Sequence, residues 1–155
     1  MNDKKEILNI LIISLDEKFS KNVSSLLASE LDMYFVDCKE LIEYDLINPK
    51  DVLEKCGLEY LRKKERGVLS NACEYQNTVI SINYSLYSLN YDLFKYSLVV
   101  YLKIDEKSLS EVVNNIEEKN YNDFLTEKAD IIVDADIKKK KETKNKLIKL
   151  LGENL

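Results

Sequence analysis

No histidine occurs in these 155 residues, and there are only three glycines and one proline. Without an imidazole to move a proton near neutral pH, the serine–histidine and cysteine–histidine mechanisms are excluded within one chain. Any acid or base must be a carboxylate, lysine, tyrosine or thiol. The three cysteines, Cys38, Cys56 and Cys73, are odd in number, lack CxxC spacing and have no histidine to complete a ligand set. They read as reduced structural thiols, and no metal site is expected. Long apolar runs are missing as well. The longest, at residues 10–13 and 98–102, fall far short of the roughly 20 residues that span a bilayer. The opening MNDKKE is not followed by a signal-type apolar core, so the expectation is a cytoplasmic protein with no membrane partner.

Positive charge is sparse in one form. The net charge is −5, the isoelectric point is near 5.0, and arginine occurs only at Arg62 and Arg66. A nucleic-acid partner is disfavoured, because such affinity depends on clustered cations that neutralise phosphates. The lysine run at 138–141 lies early in a helical segment, where successive side chains spread around the axis and form a solvated face.

Glycine is absent before Gly57, and this is the most informative gap. The stretch ILNILIISLDEKFSKNVSSLLASEL has the outline of a strand, a loop and a helix that cradle phosphate. Such a loop works because glycines let backbone N–H groups turn toward the anion, while a lysine reaches the outer phosphates. Here that chemistry is missing. Ser14 followed three residues later by Glu17 fits a capping box, with Asp16 as the other candidate cap, and acidic residues suit a helix N-terminus.

With 45% hydrophobic residues, the chain is of a size to form one domain over 1–155. Strand-like apolar runs alternate with helical segments, the pattern of a parallel sheet with crossover helices. Strands are predicted at 7–13, 33–37, 78–82, 98–102 and 130–133. The first helix carries Leu15, Phe19, Val23, Leu26, Leu27 and Leu31 as one apolar stripe. Helical sequence from 38 to about 76 breaks near Pro49 and Gly57, and further helices are predicted at 85–95, 108–118 and 137–151.

The opening run continues through DMYFVDCKELIE and is similar to the start of shikimate kinases, where strand, P-loop and helix precede a short strand ending in Asp-x-Asp. CGLEYLRKKERGVL resembles that family's stretch holding a substrate-binding arginine. NTVISIN, SLVVYLKID and EKADIIVDAD resemble its third, fourth and fifth strands in order and spacing. The resemblance covers nearly the whole chain. It implies a three-layer α/β sandwich with a five-stranded parallel sheet in the order 2-3-1-4-5, a P-loop kinase-like fold.

Residue by residue, the resemblance implies a degenerate Walker A loop. The GxxxxGK[ST] positions fall on Ser14 through Lys21: Ser14 and Phe19 replace glycines, Ser20 replaces the lysine, and Lys21 takes the hydroxyl's position. Asp37 retains the first aspartate, Lys39 stands in place of the second, and Arg62 matches the carboxylate-binding arginine. The lid arginine and the one before the last strand are missing, with Tyr121 at the latter place. The glycine-rich turn after the third strand reads Asn83-Tyr84-Ser85. Bulky side chains at Phe19 and Tyr84 leave two readings open: they partly fill the ancestral pocket, or they simply join the core or lie on the surface.

Asp16 and Glu17 also enter the loop where triphosphate would lie. Two like charges about 6 Å apart at an effective dielectric near 20 repel by roughly 3 kcal/mol, about a hundredfold in binding for each carboxylate. The implied reading is a shikimate kinase-like pseudoenzyme, inactive toward ATP and kept as a binding or regulatory protein. No cofactor is then expected. The alternative is a functional kinase that phosphorylates shikimate with ATP and magnesium through an atypical loop. Asp37 and Arg62 are the candidate substrate-binding residues, for a shikimate-like small molecule. Asp37 could equally cap the next helix, and Arg62 could pair with a neighbouring glutamate. Tyr84, Tyr87 and Tyr91 fall on one helical face, offering either a protein-partner surface or a face packed inward. A receiver-like signalling domain fits poorly, because the third strand carries no aspartate to accept phosphate.

Overall fold

The computed structural model describes residues 7–105 and 115–154, with side chains left undescribed at 115–119 and 153–154. Five strands, β1 Asn9–Ser14, β2 Tyr34–Asp37, β3 Thr78–Ile82, β4 Ser97–Ile104 and β5 Ile131–Ala135, form one parallel sheet in the order β2-β3-β1-β4-β5. Between them run α1 Glu17–Leu31, α2 Cys38–Leu46, α3 Pro49–Cys56, α4 Leu58–Ala72, α5 Tyr84–Asn90, α6 Asn115–Lys128 and α7 Lys140–Asn154. A 3-10 turn, Tyr91–Leu93, follows α5. Part of the helix expected at 108–118 lies outside the described residues.

Central strands buried on both faces read as continuous apolar runs rather than alternating ones. Every residue of β1 and β3 is buried, and Leu11 sits between Ile80 and Val99 in the ladder. The one polar group that opens β1 is fully used: the Asn9 amide donates to the Cys73 carbonyl at 3.0 Å and the Tyr75 carbonyl at 2.8 Å. Its oxygen accepts from the Ser97 hydroxyl, which ties the start of β1 to β4.

The helix boundaries have local causes. Asp16 caps α1, and the chain leaves that helix through Asp32 in the left-handed region at φ 55°. Asn48 caps α3 with Pro49 in its first turn, where a missing N–H costs nothing. Gly57 joins α3 to α4 at φ 89°, a conformation that side chains disfavour. The expected breaks near Pro49 and Gly57 therefore divide α2, α3 and α4.

The α1 stripe is buried at Phe19, Val23 and Leu27, and α1 packs beside α7, where Lys144 approaches Glu30 at 3.8 Å. α6 packs on β4, with the Tyr101 hydroxyl donating to Asn122 at 2.8 Å. Among the described residues, no helix is long and apolar enough to cross a membrane. Because all five strands run parallel, the C-terminal ends of β1, β2 and β3 share one edge. In open parallel sheets ligands bind outside that edge, at the switch in strand order.

Candidate functional site

The end of β1 delivers Ser14 and then a short turn. The buried Ser14 hydroxyl accepts the Asp16 N–H at 3.2 Å, and the Asp16 carboxylate accepts the Phe19 N–H at 3.0 Å. Asp16, rather than Ser14, is therefore the cap. Phe19 and Ser20 both point into the protein, at 4% and 1% exposure. Ser20 donates its hydroxyl to the Glu17 carbonyl at 3.0 Å. The amides of Asp16, Phe19 and Ser20 are thus satisfied within the turn.

Lys21 pairs with Glu40 at the start of α2, and the carboxylate raises its ammonium above the ordinary lysine value. Lys39 reaches back to Glu17 at 3.6 Å. These two crossed pairs connect the first turns of α1 and α2. Between them lies Asp37, whose carboxylate accepts the Glu40 N–H at 3.2 Å and the buried Ser81 hydroxyl at 2.5 Å. One oxygen caps α2 and the other ties β2 to β3.

Two cavities open at this edge. One of about 440 Å³ is lined by Glu17, Lys18, Lys21, Asp37, Lys39, Glu40 and Glu43. A second of about 220 Å³ brings Lys39 and Glu43 together with Arg62, Glu65, Asn83 and Ser85. Arg62 approaches Glu65 at 3.7 Å, and partial burial pushes the Glu65 carboxyl up. Residues distant in sequence, Lys39 and Arg62, thereby become the cations of one small cavity.

The turn after β3 leads into an aromatic cluster. Asn83 caps α5, accepting the Leu86 N–H at 2.9 Å. Tyr84 stacks on Tyr121, with centroids 4.0 Å apart. Phe124 meets Tyr84, Tyr87 and Tyr91 edge-on at 5.6–6.1 Å. Tyr87 is 2% exposed, and burial raises its hydroxyl to about 12.

A family model for shikimate kinase matches residues 21–122. The chain belongs to the shikimate kinase family. The match begins at Lys21, the last of the phosphate-loop positions. The fold is similar to that of the shikimate kinase from Aquifex aeolicus vf5, at 24% identity and a TM-score of 0.74, covering 95% of this chain and 98% of that one. It is also similar to the shikimate kinase from Acinetobacter baumannii in complex with shikimate, at 17% identity and a TM-score of 0.76, covering 97% and 96%. The enzyme from Bacteroides thetaiotaomicron gives 17% and 0.75, covering 94% and 98%. No curated protein sequence matches the chain.

The shikimate kinase frame explains what sequence reasoning placed and what it missed. Ser14, Phe19, Ser20 and Lys21 do lie at the turn from β1 into α1, but three of the four face inward. Asp37 and Arg62 stand on either side of Lys39 and line adjoining cavities. The tyrosine stripe, open between a partner surface and a face packed inward, packs against α6, and of its three rings only Tyr91 is well exposed, at 42%. Packing wins because each ring buries against another. Glu40 and Ser81 were missed; the signal for Ser81 was a polar residue inside an otherwise apolar strand.

At the turn where the resemblance places the phosphate loop, the Phe19 N–H is taken by the Asp16 carboxylate and the Lys21 ammonium by Glu40.

Proposed function

We propose that this member of the shikimate kinase family has given up phosphoryl transfer and acts by binding a small carboxylated ligand. The observation that carries this reading is the Asp16 carboxylate on the Phe19 N–H at 3.0 Å. It puts a negative charge where the family's loop would receive the outer phosphates, and phosphoryl transfer depends on positive charge there.

The neighbouring cavity supports the ligand class. Lys39 and Arg62 offer two cations in a cavity of about 220 Å³ that also holds Glu43 and Glu65, with Asn83 and Ser85 as hydrogen-bonding groups in its lining. A ring bearing a carboxylate and hydroxyls, as in shikimate, complements that set. Lys39 exchanges its weak contact with Glu17 for the ligand's carboxylate.

A second reading keeps the kinase. Lys18, Lys21 and Lys39 line the 440 Å³ cavity beside Glu17, Asp37, Glu40 and Glu43, so a polyanion there must draw Lys21 and Lys39 away from Glu40 and Glu17.

Calorimetric titration with magnesium–ATP and separately with shikimate decides between them. Shikimate binding that disappears in Arg62→Ala, with no heat from ATP, supports the binding protein. Tight ATP binding, or shikimate phosphorylation lost in Lys21→Ala, overturns it.

A further inference from the structure

Another cavity, of about 650 Å³, lies between α2 and α4; it shares no lining residue with the two described above, and at Leu41 and Tyr44 it adjoins one of about 240 Å³ that reaches Asp37 and Glu40. Its volume falls in the range of small-molecule sites, about 300–1,000 Å³. Three tyrosines, Tyr44, Tyr60 and Tyr75, line it, and all three are exposed, at 85%, 44% and 37%. Exposed rings on one concave surface are costly to leave in water and supply flat faces for stacking.

The cations are available. Lys63 and Lys64 line the same cavity, and among the described residues neither is in an ion pair. Lys64 is held over the Tyr60 ring at 5.3 Å, which fixes an ammonium at the rim. Asp45 is the one acidic residue in the lining. In a chain of net charge −5, this pocket is locally positive and selects an anion.

An independent observation concerns the wall. Gly67 lines the cavity from inside α4, five residues before the helix ends at Ala72. Its backbone is not left-handed, and a Cβ built there meets nothing within 4 Å. Neither backbone conformation nor close packing requires glycine, and a helix-interior glycine is less stable than alanine. Gly57 is explained by its positive φ, and Gly152 lies near the end of α7, where fraying makes the cost small. What glycine does at position 67 is leave the helix backbone bare, so that a flat group can lie against it.

We propose that the α2–α4 cavity binds a small molecule consisting of a flat ring that carries an anionic group. The ring stacks among Tyr44, Tyr60 and Tyr75 and over Gly67, and the anion meets Lys63 and Lys64. A nucleoside monophosphate and an aromatic carboxylate share this chemistry.

Isotope-labelled protein titrated with adenosine 5′-monophosphate and, separately, with 1-naphthoate tests the proposal, with adenosine as the ring-only control. The expected result is saturable movement of the Gly67 amide and of the Tyr44, Tyr60 and Tyr75 signals by one of the two anions below about 5 mM, on the scale of weak specific binding. Adenosine should bind at least about tenfold more weakly than its monophosphate if the nucleotide is the ligand, and naphthoate alone should saturate if the carboxylate is. Lys63→Ala with Lys64→Ala should weaken binding about tenfold, and Gly67→Leu should abolish it while preserving the rest of the spectrum. Movement confined to Lys21 and Asp37 would place the probe at the strand ends and overturn the proposal. So would unchanged affinity in Gly67→Leu, equal binding of adenosine and its monophosphate without naphthoate binding, or no saturation by either anion. Dilution-dependent shifts of the same tyrosines without any probe would assign the surface to a second copy instead.

Discussion

Tyr84, at the turn after β3, stacks on Tyr121 of α6 with ring centroids 4.0 Å apart and 28° between their planes. The two residues lie far apart in sequence, and the fold brings them into one contact. Aromatic pairs contribute about 0.5–1.5 kcal/mol beyond the area they bury. Tyr84→Ala and Tyr121→Ala should each lower unfolding free energy, and their double-mutant cycle in denaturant should yield a coupling of about 1 kcal/mol. Strict additivity would show that the rings do not act on each other.

Asp37 should matter for stability whatever the protein binds. It accepts the Glu40 N–H and the Ser81 hydroxyl from a nearly buried position. Asp37→Ala removes a helix cap and leaves a buried hydroxyl unpaired, together about 2–3 kcal/mol by chemical denaturation. Ser81→Ala should cost about 1 kcal/mol, because the carboxylate keeps its cap. The double variant should cost less than the two singles combined, since no orphaned hydroxyl remains.

Arg66 and Asp92 form a bidentate pair at 2.6 and 3.1 Å, joining α4 to the 3-10 turn after α5. The Arg66 guanidinium holds the Asp92 carboxyl below its ordinary value of 3.8. A depressed folded-state pKa contributes stability above the unfolded value and loses it as pH falls through the folded one. Asp92→Asn should therefore be slightly less stable than the parent at neutral pH, with the difference closing below pH 3.8. High salt should shrink the effect at neutral pH, because both side chains are exposed. A difference that stays constant as pH falls from neutral to well below 3.8 would mean that packing, not charge, links the two elements.

Gly67 gives a prediction of opposite sign. Its Cβ direction opens on empty space within α4, so Gly67→Ala should raise stability by about 0.5–1 kcal/mol in thermal or denaturant unfolding. A loss of stability would mean that the helix backbone is more closely covered than the cavity indicates.

The aromatic cluster also explains why a tyrosine stripe at helical spacing is a poor guide to a partner surface. Spacing places Tyr84, Tyr87 and Tyr91 on one face, and it says nothing of what lies opposite. α6 lies opposite and contributes Tyr121, Phe124 and Lys128, the last with its ammonium 4.4 Å from the Tyr91 ring centre. Similarly, the sequence leaves Ser14 and Asp16 open as caps of α1. The turn decides, because Ser14 still belongs to β1, two residues short of the cap, and it is Asp16, at φ −95° and ψ 104°, whose carboxylate accepts the Phe19 N–H.

The sequence by itself determined the strand and helix succession, because buried parallel strands must be apolar throughout and helices must present stripes. β3 is found at Thr78–Ile82 as expected, bounded by Asn77 in the left-handed region and by the Asn83 cap. β4 extends beyond its expected bounds at 98–102, from Ser97 to Ile104, since ladder hydrogen bonds come from backbone and do not require apolar side chains. Composition likewise settled that the chain has no histidine and no glycine before Gly57. Only the tertiary structure decided which charges meet. Lys21 finds Glu40, Lys39 faces Arg62 across a small cavity, and Gly67 opens toward three tyrosines. These relationships depend on how parallel strands bring distant helix ends to one edge, and on where α2 and α4 leave a gap. Neither is written in the periodicity of any single segment.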